Sequence, residues 1–150
     1  MEFLAQTRDA IKELPFFFKT ILLIWSFVAL CFIFPNIRKF DSLNIVDALF
    51  MFGFTLCWTM GTLSITLIYA FRRRNKKQLN SYAKEPSNKK ISNQTYALAL
   101  QSKKAYEQMI TSLPPELAND QGLYVGTKWG RISKAILIIT VVYNFLASIL

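Results

Sequence analysis

The sequence predicts an all-α fold: a small polytopic membrane protein with three transmembrane helices, an amphipathic N-terminal helix and a basic, partly helical cytoplasmic loop. Its apolar residues stand in three blocks that reach or approach the ~20 residues needed to span a bilayer. The middle block, 48–71, contains no charged side chain, and a run of cations follows it at once. Together these observations favour a chain that crosses a membrane over a soluble domain with a core.

Residues 1–15 form an amphipathic segment in which Phe3 and Ile11 share one helical stripe and most charges lie elsewhere. We expect a helix at the membrane interface, the alternative being a short stub that frays. The first span, 16–35, is interrupted only by Lys19, which can reach the headgroups near the helix end. The leader mixes acids with bases and no small-residue cleavage site follows, so we expect a retained anchor.

The second span, 48–71, follows a short outer loop at 36–47. At ~1.5 Å per residue the span is ~36 Å long, enough for a hydrocarbon layer of ~30 Å. Small residues spaced by four lie on one face, which lets another helix approach closely. We expect this face to pack against the third span, the first span or another copy of the chain. Its members are Gly53, Cys57 and Gly61, with Ser64 extending the line.

A cluster of five cations follows the second span: Arg72, Arg73, Arg74, Lys76 and Lys77. Such a cluster marks the cytoplasmic side of a span, and it attracts anionic headgroups by roughly 1 kcal/mol per cation. Residues 72–131 hold twelve Lys or Arg against four acids. We therefore expect the N-terminus and this basic module in the cytoplasm, with the C-terminus outside. Composition indicates a bacterial or mobile-element origin, and we expect the membrane to be the bacterial inner membrane.

Within the basic module, the pattern predicts an amphipathic helix over about 94–113, with Asn93 as its N-cap. Sixty residues with one substantial helix bury little surface alone. The apolar face should therefore meet the bilayer surface, the extended second span, a second copy or another protein; packing within the chain is the alternative. We predict a partner-binding surface at Leu98, Tyr106, Met109, Ile110 and Leu113.

The third span, 132–150, contains Asn144, whose amide we expect to bond a neighbouring helix or to lie near the outer headgroups. Before it, glycines at positions 122, 126 and 130 predict an irregular return to the membrane.

Residues typical of catalysis and metal binding are scarce. The chain has no histidine, and Cys31 and Cys57 both lie in apolar runs, which disfavours a disulfide or a metal site. No acid lies inside a predicted span, which argues against a proton- or cation-coupled carrier. Glycine spacing fits no phosphate loop, and 72–131 offers no aromatic platform for nucleic acid. We predict no catalytic residue, no metal and no cofactor.

These observations favour a non-enzymatic protein that acts by binding another integral membrane protein, within a bilayer of anionic headgroups and with homo-oligomerisation as an option. An exclusion or immunity function of a plasmid or phage, directed against conjugation or another transfer apparatus, is a specific hypothesis that rests on size and architecture. The alternatives are a channel-type or pore-forming protein, whose hydroxyl-rich second span lines a polar path, and an accessory subunit of a transport or secretion complex.

Overall fold

The computed structural model describes residues 2–37, 45–84 and 93–149, and this part of the chain is helical and contains no strand. Most of the predicted outer loop lies outside the described residues, as does the segment 85–92. The described helices are α1 (Glu2–Lys12), α2 (Phe16–Ile37), α3 (Ile45–Arg74), α4 (Lys76–Tyr82), α5 (Asn93–Gln101), α6 (Lys103–Thr111), α7 (Pro115–Ala118) and α8 (Gln121–Ile149).

Two of the described helices, α3 and α8, are long and apolar enough to cross a membrane. Helices α1 and α2 meet at a bend of 119°, and a third candidate results if this pair is one broken span. The bend falls at Pro15, which lacks a backbone N–H and so cannot continue the hydrogen-bond ladder of α1. The chain is therefore an integral membrane protein with two or three spanning helices.

The long helices extend beyond the predicted spans. Helix α3 has 30 residues and α8 has 29, so each is ~45 Å long, against a hydrocarbon layer of ~30 Å. Helix α8 begins at Gln121, and glycines 122, 126 and 130 lie inside it. The expectation of an irregular segment here is therefore wrong. Packing explains the difference: Gly126 and Gly130 face helices that approach closely, which offsets the low helix propensity of glycine.

The predicted single helix over 94–113 is also corrected, because the structure divides it into α5 and α6. Ser102 stands between them with extended backbone angles, φ −145° and ψ 139°. Its hydroxyl accepts a hydrogen bond from the amide of Ala105 and so caps α6. A serine that bonds the backbone ahead of it favours a helix start over a helix interior.

Helices α3 and α8 lie side by side, α2 runs along α3, and the shorter helices pack around one end of the pair. We call this the basic end (residues 2–19, 64–84 and 93–131), and the remainder the apolar end (20–31, 45–63 and 132–149). Two cores flank the pair at the basic end. One contains Ile68, Phe71, Tyr96, Ala99, Tyr106, Met109, Leu113, Leu117 and Leu123. The other contains Ala10, Leu14, Phe18, Leu67 and Val125.

Candidate functional site

The small residues of α3 pack against α8. The sequence had left three possible neighbours open: the third span, the first span or another copy of the chain. A Cβ atom on Gly53 would overlap the side chain of Thr140. Ser133 of α8 donates a hydrogen bond of 2.9 Å to the carbonyl oxygen of Cys57, and its hydroxyl lies 3.3 Å from the Cys57 sulfur. A Cβ on Gly61 would stand 3.2 Å from the same hydroxyl. We call this contact the α3–α8 interface.

Helix α8 contributes its own small residues to this interface, and the sequence pattern did not lead us to expect them. A Cβ on Gly126 would lie 3.0 Å from Ile68 and 3.2 Å from the Ser64 carbonyl oxygen. A Cβ on Gly130 would lie 2.8 Å from the Ser64 hydroxyl oxygen. Helix backbones can approach this closely only where side chains are small. The spacing of four between the glycines is the sequence signal that identifies the second stripe.

Asn144 lies outside this set of close contacts. It follows Thr140 by one turn of α8 and is partly exposed, and its amide makes no hydrogen bond to the described residues.

The predicted partner-binding surface on 94–113 requires a correction. Tyr106, Met109 and Leu113 are buried in the core beside α3 and α8, and Ile110 packs against that core. Among the five predicted residues only Leu98, at 54% exposure, presents a large apolar side chain to the surroundings. The division at Ser102 lets α6 turn back onto α8, so the chain covers this face itself. Tyr106, Met109 and Leu113 therefore stabilise the fold and are not accessible to a partner.

Two tyrosines of this core are held beside arginines. The Arg72 guanidinium lies 5.0 Å from the ring centroid of Tyr96, and that of Arg131 lies 5.1 Å from the ring centroid of Tyr106. Burial raises the pKa of both phenols, and the neighbouring arginine partly opposes the rise. Both phenols are therefore uncharged near neutral pH.

The three consecutive arginines after the charge-free run contact three different parts of the fold. Arg72 stacks on α5 as described, and Arg73 lies 5.9 Å from the ring centroid of Phe18 on α2. Arg74 pairs with Glu13 at 3.6 Å and with Asp120, which precedes α8. Lys76 and Lys77 are exposed on α4. The arginines thus join α3 to its neighbours, in addition to any role as a signal for orientation.

A groove of about 560 Å³ runs between α2 and α3. Trp25 and Trp58 form one part of its wall, with ring centroids 5.4 Å apart. Gly61 and Ser133 lie at its base, where α3 meets α8, and Ile65 lines it further toward the basic end. The groove is therefore apolar and shaped by bulky rings around a small residue.

Residues that could bind a metal are not gathered anywhere in the described ranges, which contain no group of three or more His, Cys, Asp or Glu side chains placed to hold an ion. The two cysteines are unbridged, Cys31 being exposed and Cys57 partly buried. Comparison of the chain with protein-family models, with curated proteins and with solved structures finds no match to any of them.

Proposed function

We propose that this protein acts without catalysis, by binding a transmembrane helix of another integral membrane protein in the groove between α2 and α3. The groove carries the proposal because it is the largest apolar concavity along the charge-free part of α3 among the described pockets. Most of the small residues of α3 contact α8, and most of the apolar face of α5–α6 is covered within the chain, whereas Gly61 remains at the base of the groove. The groove is therefore the surface that we assign to a partner.

The chemistry of the groove suits an apolar helix. Aromatic walls supply large contact areas, and Gly61 at the base lets a neighbouring backbone come close. The hydroxyl of Thr62 donates to the carbonyl oxygen of Trp58 at 2.8 Å, so this lining side chain needs no polar partner. An apolar helix would then bind through shape and dispersion contacts, the forces that operate between helices in lipid.

We further propose three spans, with α2 as the first and α1 at the membrane interface, and the basic end on the cytoplasmic side. The cations at the end of α3, with Lys128 and Arg131 on α8, support this orientation through the positive-inside rule. The bacterial inner membrane remains our proposed location, and an exclusion or immunity function remains the specific hypothesis within the binding class. Both rest on sequence composition and on size.

A channel-type function receives less support. The threonines that suggested a polar path on α3 each donate to a carbonyl oxygen of their own helix, with distances of 2.8 to 3.1 Å for Thr55, Thr59, Thr62 and Thr66. Hydroxyls engaged in this way offer fewer donors to an ion or to water. Liposomes that hold only the purified chain should therefore stay impermeable to ions, and measurable flux would favour the channel.

The groove can be tested by photo-crosslinking in the native membrane. A benzophenone side chain at position 62 should form an adduct with an integral membrane protein. Ile65→Trp, which fills the groove, should abolish this adduct. Ile139→Trp on α8 is the matched control, because Ile65 and Ile139 are 64% and 67% exposed but only Ile65 lines the groove. Adducts that both variants leave intact would exclude the groove, and adducts of the chain with itself alone would indicate a homo-oligomer.

A further inference from the structure

A second pocket, of about 500 Å³, lies at the basic end between the last turns of α3, helix α4 and the first turn of α5. Three cations line it, Arg72, Arg73 and Lys76, and its described lining residues include no carboxylate. Its volume falls within the ~300–1,000 Å³ of typical small-molecule sites. A pocket with this charge is suited to an anion.

Tyr96 supplies a second and independent indication of a ligand. The residue lines the pocket and is only 5% exposed, and its buried hydroxyl has no hydrogen-bond partner among the described residues. A buried hydroxyl is almost always hydrogen-bonded in a folded protein, since leaving it unpaired is destabilising. The Arg72 guanidinium stacked on the Tyr96 ring holds a cation beside this donor. Because burial raises the pKa of Tyr96, the phenol keeps its proton and can donate it in a hydrogen bond.

The position of the pocket indicates where its anion comes from. The charge-free run of α3 ends at Phe71, and the pocket is lined from Tyr69 on the apolar side to Lys76 on the polar side. It therefore straddles the boundary at which α3 leaves the hydrocarbon layer. Lipid phosphates lie at this depth, and tyrosine, arginine and lysine are the side chains enriched there.

We infer that this pocket binds the phosphate group of an anionic lipid headgroup, with Arg72, Arg73 and Lys76 neutralising its charge and the Tyr96 hydroxyl donating a hydrogen bond. Arginine offers two parallel donors to a phosphate, and lysine acts as a point charge. A discrete site of this kind differs from the general attraction of a basic surface to an anionic bilayer, because it depends on particular residues. It is a separate cavity from the groove between α2 and α3, although Tyr69 lines both.

Neighbouring lysines on α4 provide a charge-matched test. Lys76→Gln and Lys77→Gln each remove one positive charge, but only Lys76 lines the pocket. Binding of phosphatidylglycerol to the full chain in a neutral detergent, followed by native mass spectrometry, should weaken about tenfold for Lys76→Gln and less than about twofold for Lys77→Gln. Phosphatidylcholine should bind weakly to both. Equal losses for the two variants would overturn the discrete pocket and leave only non-specific attraction.

Tyr96→Phe tests the hydroxyl while keeping the ring and its contact with Arg72. We expect phosphatidylglycerol affinity to fall about threefold to tenfold, with a melting temperature in lipid-free detergent that is unchanged or higher. Removing an unpartnered buried hydroxyl should not destabilise the lipid-free protein. A lower melting temperature with unchanged lipid affinity would show that the hydroxyl serves the fold, and would overturn its assigned role.

Competition distinguishes a lipid from a soluble phosphate, which shares the same chemistry. Inorganic phosphate and glycerol phosphate should displace phosphatidylglycerol only at concentrations far above that of the lipid, because the acyl chains add contacts that soluble anions lack. Displacement of the lipid at equal concentration would overturn the lipid assignment and identify a soluble phosphate as the ligand.

Discussion

The basic end and the apolar end of this molecule are built from the same two long helices but are packed differently. The largest fully buried side chains of the described residues all lie at the basic end: Phe71, Leu67, Met109, Leu123, Val125, Thr127 and Ser64. The apolar end exposes large side chains such as Leu23, Phe52 and Phe145. Where helices meet water, burying apolar surface in protein stabilises the fold, whereas in lipid the surrounding chains solvate it equally well.

The contacts at the apolar end are accordingly of another kind. Gly53 lies against Thr140, and the Ser133 hydroxyl bonds the Cys57 carbonyl oxygen. Small residues and hydroxyls here allow the two backbones to approach, and dispersion contacts and hydrogen bonds hold them together. The comparison shows that one helix pair can be held by two physical mechanisms along its length.

Phenylalanine truncation on α3 should separate the two ends most clearly. Phe71→Ala at the basic end, where the ring is 1% exposed, should lower the free energy of unfolding by about 3–5 kcal/mol through loss of burial and a residual cavity. Phe52→Ala on the same helix, at 62% exposure, should cost less than about 1 kcal/mol. SDS titration in detergent micelles, followed by tryptophan fluorescence, measures both. Similar losses would mean that the apolar end is packed as tightly as the basic end.

Glycine substitutions should show that the α3–α8 interface continues through both ends. Gly126→Ala and Gly53→Ala each place a Cβ against the facing helix, so we expect each to destabilise by about 1–3 kcal/mol. Gly122→Ala is the control, because its Cβ would meet only side-chain atoms of Asp120 and Arg74, which can move. Its effect should stay within about 0.5 kcal/mol. The same unfolding assay applies, and a neutral Gly53→Ala would show that the helices separate at the apolar end.

Substitutions of Asp120 should separate two small contributions to stability, the helix cap and the ion pair with Arg74. The carboxylate accepts a hydrogen bond of 3.1 Å from the Leu123 amide at the start of α8, and it also pairs with Arg74. Asp120→Ala removes both contacts and should cost about 1–2 kcal/mol. Asp120→Asn keeps a good cap and loses only the charge, so its cost should be below about 1 kcal/mol.

Hydrogen exchange at the first turn of α8 reports the cap directly. Faster exchange there is expected for Asp120→Ala and not for Asp120→Asn. If Asp120→Asn proves as damaging as Asp120→Ala, the ion pair with Arg74 matters more than the cap.

The local sequence pattern was informative where a helix must satisfy its own backbone hydrogen bonds inside the bilayer. An uncharged run long enough to span, as in α3, has essentially one stable conformation in lipid, because every backbone group must find its partner within the helix. The break at Pro15 follows from the missing N–H in the same local way. The spacing of four between Gly53, Cys57 and Gly61 correctly indicated a common face, but three different neighbours could have filled it.

The basic end was harder to predict because its helices are defined by what they pack against. From the sequence alone, the apolar face around Tyr106 and Met109 is compatible both with a surface for a partner and with part of an internal core. Only the turn at Ser102, which aims α6 back at α8, decides between them. The low helix propensity of glycine predicts an irregular chain at positions 122, 126 and 130. The residues of α3 and α5 that face Gly126 and Gly130 explain why the chain is helical there.

By itself, the sequence determined that the chain enters a membrane, because the free energy of placing a long uncharged helix in lipid depends on its side chains alone. It also predicted that this layer ends on α3 at the arginines. The tertiary structure decided which small residues contact each other, that Tyr106, Met109 and Leu113 are buried, and that Arg72, Arg73, Lys76 and Tyr96 line one pocket. These outcomes depend on contacts between residues that are distant along the chain, and the local sequence pattern does not show which distant residues meet.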